Sequence, residues 1–145
     1  MVYALTDVEG FLLPDHVNLP IHEAGHLFFT PLGQRIHFWG GTLFQLLIPL
    51  ALMVSFLSKR ERAGFAFYLF WLGENFLNIS IYMDDARDLS LPLVGGGVHD
   101  WNYLFSPMGL LHKDKAIAGV VRIVRSMIMI SAPLWLAMSA KGSRV

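Results

Sequence analysis

His22 and His26 stand four positions apart with Glu23 between them, in the run His22-Glu23-Ala24-Gly25-His26. On an α-helix, residues four apart share a face, so both imidazoles can reach one ion. This is the H-E-x-x-H pattern of helical zinc sites. A zinc ion held there polarises a carbonyl and activates a water, and the intervening glutamate can take that water's proton and return it to a leaving amine. The chain has six histidines in 145 residues, and the pattern would arise at random in about one such sequence in 150. Cysteine is absent, which excludes thiolate ligands, thiol nucleophiles and disulfides.

A catalytic zinc takes three protein ligands and a water. The metzincin extension would need Gly and His three and six residues beyond His26, where Phe29 and Leu32 stand. Glu61 lies among Lys59, Arg60 and Arg62, and Glu74 lies deep in an apolar segment, so neither is placed to help. What remains is Asp84, Asp85, Asp88, His99 and Asp100. His99 is the expected third ligand, with Asp100 as a further ligand or as support for a neighbouring imidazole. Asp85, at the end of a helix, is the alternative ligand.

Composition sets the elements that must carry these residues. Hydrophobic residues make up 54% of the chain and charged ones 15%, against about 45–50% and about 25% in soluble domains. Eleven Lys and Arg balance eleven Asp and Glu, leaving no basic footprint for nucleic acid. Residues 38–57, 64–83 and 116–138 are each apolar over the roughly 20 residues that cross a bilayer core. Lys59, Arg60 and Arg62 after the first span, and Lys141 and Arg144 after the last, put the C-terminus on the cytoplasmic side. Trp39, Tyr68, Tyr82 and Trp135 fall near span ends, where amphipathic rings favour the headgroup level. Met1 to Pro14 has no basic n-region and does not read as a cleavable signal peptide.

The expected architecture is an all-α membrane protein with the lipid bilayer as partner, one domain over residues 1–145. It has three spanning helices and a short or re-entrant N-terminal helix, about residues 18–31, that carries the motif. Asn18 is placed to cap that helix, Pro20 fits its first turn and Pro31 ends or kinks it. The connection 84–115 is too apolar for disorder and is expected to pack onto the bundle, with Gly95-Gly96-Gly97 as a hinge. Glu74 and Arg125 sit near the middle of antiparallel spans and are expected to pair, since a lone charge at that depth is costly. Arg122 is expected to reach Asn78 or an aspartate at the span end.

In this setting the chain resembles the site-2 protease class of membrane-embedded zinc metalloproteases, through His22-Glu23-Ala24-Gly25-His26 in an apolar context followed by further helices and a later carboxylate. The resemblance implies zinc as cofactor, His22 and His26 as ligands, Glu23 as base, and cleavage of peptide bonds in membrane-associated protein or peptide substrates. It also implies a ligating Asp near the end of another membrane helix, commonly followed by Gly. No Asp-Gly occurs here, and Asp85-Ala86 is the nearest counterpart. The same string occurs in ATP-dependent membrane proteases, but no G-x-x-x-x-G-K-[ST] loop is present. The expected function is a membrane-embedded zinc endopeptidase. The competing expectation is a non-proteolytic membrane protein that binds or carries a metal ion, and Glu23 separates the two, because a carrier has no use for a base beside its ligands.

Overall fold

The computed structural model describes residues 13–91, 93 and 97–141, and these are helical apart from turns and connections. The helices are α1 (Leu13–Phe29), α2 (Gln34–Ser58), α3 (Arg62–Asp84), α4 (Asp100–Phe105) and α5 (Asp114–Lys141). Single 3-10 turns over Thr30–Leu32 and Leu111–Lys113 lead into α2 and α5. Gly95 and Gly96 of the expected hinge, and Arg144 of the basic tail, lie outside the described residues.

The motif helix begins about five residues earlier than its sequence suggests and runs through Pro20. Pro20 removes one intrahelical donor but does not end the helix, so Asn18 is an interior residue rather than a cap. It is fully buried and uses its amide across the bundle. The helix does stop ahead of Pro31. Gly33 then takes a φ of 97°, which a side chain would resist, and turns the chain back into α2. α2 in its turn continues through Pro49.

Close approach of backbones defines the α1–α2 hairpin. A Cβ on Gly25 would collide with the carbonyl oxygen of Gly40, and a Cβ on Gly40 would lie 2.6 Å from the carbonyl oxygen of Gly25. Small residues let helices meet this closely, as at helix contacts in membranes. α3 packs along both α2 and α5. Its Gly73 faces α5, where a Cβ would lie 2.6 Å from Met129 Cγ.

The connection after α3 does pack down. Ala86, Trp101, Leu104 and Phe105 join Phe38, Ile79, Tyr82 and Met83 in the buried core, with Leu91 and Leu93 against them. Ion pairs tie this end together: Arg122 reaches Asp84 at 2.8 Å, as expected from its position, and Lys115 reaches Asp88 at 2.9 Å. At the opposite end Arg62 donates to the carbonyl of Ser139, so the basic α2–α3 turn and the end of α5 share one end of the bundle.

The expected Glu74–Arg125 pair does not form. α3 presents Gly73 to α5, while Glu74, one residue on and rotated by about 100°, faces α1. Asn18 and Asn78 donate to its carboxylate at 2.6 and 2.5 Å, and Arg125 turns along its own helix to Met129 Sδ at 3.2 Å. Two helices, Gln34–Ser58 and the α5 region Leu111–Ser139, are long and apolar enough to cross a membrane. α3 has the length but buries Glu74, Asn75, Asn78 and Ser80 within it.

Candidate metal centre

The four-residue spacing on α1 does bring the two imidazoles together, with ring centroids 4.7 Å apart. Both are buried. α2 gives each of them a partner at Nδ1. His22 Nδ1 lies 3.1 Å from Gln45 Oε1, and His26 Nδ1 lies 2.8 Å from the carbonyl oxygen of His37. A backbone carbonyl can only accept, so Nδ1 of His26 carries the proton and Nε2 is left to ligate. The clasp is reciprocal, because His37 Nδ1 lies 3.0 Å from the carbonyl oxygen of His26. Gly41 of α2 makes room for the other ring: a Cβ there would sit 2.5 Å from His22 Nε2.

Both free nitrogens meet the same atom. Asp100 Oδ2 lies 2.9 Å from His22 Nε2 and 3.2 Å from His26 Nε2. Ligand atoms around a tetrahedral zinc stand about 3.3 Å apart, so Asp100 already stands at close to that spacing from each histidine, and all three donor atoms lie within 4.8 Å of one another. Two acceptor nitrogens and a carboxylate converging in a buried space need positive charge among them. A divalent cation satisfies all three at once. Burial works to raise the carboxyl of Asp100, but where a proton on Nε2 stands in for an ion, hydrogen bonding and charge from His22 and His26 outweigh it and hold the group at about 2.

Asp100 is delivered from a distant part of the chain by local helix chemistry. His99 is the N-cap of α4, its Nδ1 accepting from the backbone N–H of Asn102 at 3.2 Å. Asp100 is therefore the first residue of α4, and its own N–H donates to Tyr82 Oη at 3.2 Å. Asn102 Nδ2 donates to the carbonyl of Ala86 at 2.8 Å, tying α4 to the end of α3.

His99, the first choice from sequence for the third ligand, is thus turned away from His22 and His26. Its ring stacks on Tyr82 with centroids 4.1 Å apart, and its Nε2 faces Asp85 Oδ2 at 3.5 Å. Burial pushes its pKa below the ordinary value. Asp85, the alternative, is also elsewhere: it accepts from the backbone and hydroxyl of Ser90 and from the N–H of Leu91 at 3.0 Å. It closes the turn after α3. The triad is His22, His26 and Asp100, and this buried group could hold a metal ion.

Glu23 is half-buried, and among the described residues it makes no hydrogen bond or ion pair. Helical geometry puts it about 60° round α1 from His26, beside the ligand face. Gln45, His37, Gly41 and Tyr82 were not legible as parts of a site. Gln45 reads as a lone polar residue in an apolar run, and Tyr82, which resembled an interfacial anchor, is buried. The one sequence signal lay in α2, where Phe38, Gly41 and Gln45 recur every three or four residues along its inward face.

The chain matches no protein-family model, and no curated protein or solved structure is significantly similar to it.

Proposed function

We propose that this protein is a membrane-embedded zinc endopeptidase acting on peptide bonds of membrane-associated substrates. The observation that carries the reading is the donor set: two Nε2 atoms oriented by partners at Nδ1 and one shared carboxylate oxygen, with an uncommitted glutamate on the adjoining face of the same helix. Three N/O ligands leave the fourth position of a tetrahedral ion open, which is the pattern of catalytic rather than structural zinc. A bound zinc supplies Lewis acidity to the scissile carbonyl and lowers the pKa of water. Glu23 supplies the base, accepting a proton at its carboxylate and passing it to the leaving amine. Gln45 and the carbonyl of His37 hold the two imidazoles in the ligating tautomer.

The membrane reading rests on the outer faces. Val120, Ile123, Met127, Ile130 and Leu134 recur every three or four residues on α5, and each is more than half exposed. An apolar stripe of that length suits lipid. We take α3 as a third span, its polar residues turned inward, and α1 as a helix about 25 Å long, shorter than a full crossing. The basic turn and C-terminus are then cytoplasmic.

Purified protein should contain about one zinc per chain. Glu23→Gln should keep that zinc and lose at least about 100-fold in peptidase activity. Zinc bound equally with no hydrolysis by either protein would favour a metal carrier. Absence of zinc from the wild type would overturn both.

A further inference from the structure

The histidines stand on α1, whereas Asp100 stands on α4, which packs on α2 through Phe38–Tyr103 and Trp39–Trp101 and is tied to the end of α3 by Tyr82 and Ala86, so the register of α1 on its neighbours decides whether the three donors meet. α1 and α3 run parallel, with α2 between them in the chain. On α1 the buried polar residues Asn18, His22 and His26 recur every four positions, and on α3 Glu74, Asn78 and Tyr82 do the same. The two rows meet at both levels. Near one end, Asn18 Nδ2 donates to Glu74 Oε2 at 2.6 Å. Near the other, Asp100 bonds the histidines through its carboxylate and Tyr82 through its backbone N–H.

Asn18 is held in one orientation. Trp71 Nε1, which can only donate, bonds Asn18 Oδ1 at 2.8 Å, so the amide must present its N–H groups to Glu74. Asn78 Nδ2 adds a second donor to the same carboxylate at 2.5 Å. Glu74 is 1% exposed and Asn18 is fully buried. The two amides donate to the carboxylate from both sides and tie α1 to α3.

We propose that Glu74 is a positioning residue for the metal centre, acting through Asn18 to set the register of α1 on α3 so that His22 and His26 meet Asp100. This rests on the metal-centre reading above. Asn18 lies one helical turn from His22, so a slide of one turn, about 5.4 Å, would carry both imidazoles out of reach of Asp100.

The chain has no cysteine, so spin labels can be placed on cysteines introduced at Leu27 of α1 and Phe67 of α3, both more than half exposed. In metal-free protein, Glu74→Leu and Asn18→Leu should each broaden or shift the distance distribution between the labels. Each should also weaken zinc binding at least tenfold and alter the visible spectrum of the cobalt-substituted protein. Glu74→Gln, which keeps one carbonyl acceptor for Asn18, should restore most of both. Should Glu74→Leu not fold, Asn18→Ser carries the same readouts. Native label distances and native zinc affinity in any folded clamp variant would overturn the proposal. A wild type without zinc would defeat the metal reading alone, since the label distances still decide whether the clamp sets the register.

Discussion

At the scale of single residues, the centre is a problem of lone pairs. Each histidine has one nitrogen committed to α2, and the other two nitrogens share one oxygen of Asp100. Asp100→Ala should therefore lose zinc as completely as His22→Ala, while Asp85→Asn keeps it, as metal analysis of the purified variants would read. Gln45→Leu leaves all three ligands but frees the His22 ring, and should weaken zinc about 10–100-fold. Asp85 has a separate pH signature. Burial works against its ionisation, but hydrogen bonds from Ser90 and Leu91 hold its carboxyl below the usual range. A lowered folded value stabilises the folded chain above about pH 4 and loses that contribution as pH falls through it. Thermal unfolding of wild type and Asp85→Asn should differ at neutral pH and converge in acid. His22, Glu23 and His26 were legible as a group because their spacing is a property of one helix. The third ligand was not: a contact between residues 78 apart is set by packing, and composition does not distinguish an imidazole that caps a helix from one that binds a metal.

At the scale of elements, the site depends on how closely α1 and α2 approach. Gly25→Ala would place a methyl against the backbone of Gly40 and should destabilise the protein by about 1–3 kcal/mol, read from denaturant or thermal unfolding. Gly41→Ala strikes the His22 ring instead, and should cost zinc affinity more than it costs stability. A variant stable and fully loaded at position 41 would mean that the ring does not lie over that glycine. The helices themselves were readable from apolar runs and from Pro31, but the start of α1 was obscured by Pro20, which the helix accommodates on an exposed face. Which way each helix faces was not readable from the sequence. Glu74 faces α1 while its neighbour Gly73 meets Ile128 and Met129 of α5, so a double-mutant cycle between Glu74 and Arg125 should be additive within about 0.5 kcal/mol.

At the scale of the whole molecule, the metal centre lies toward the end where α3 meets α4, and the basic turn lies at the other. Cysteines at Ser58 and Ser90, both exposed, should therefore label from opposite sides of sealed vesicles. Labelling from one side would mean that α3 does not cross. The separation of the ligands has a further consequence during biosynthesis. His22, Glu23 and His26 leave the ribosome long before Asp100, and the loop that closes the site, 78 residues from His22 to Asp100, is a late, high-contact-order event. On the proposed reading a nascent chain carries Glu23 and the two imidazoles with the donor set incomplete, and a chain arrested after residue 99 should stay metal-poor. On that reading the order of translation leaves the centre incomplete until Asp100 has docked.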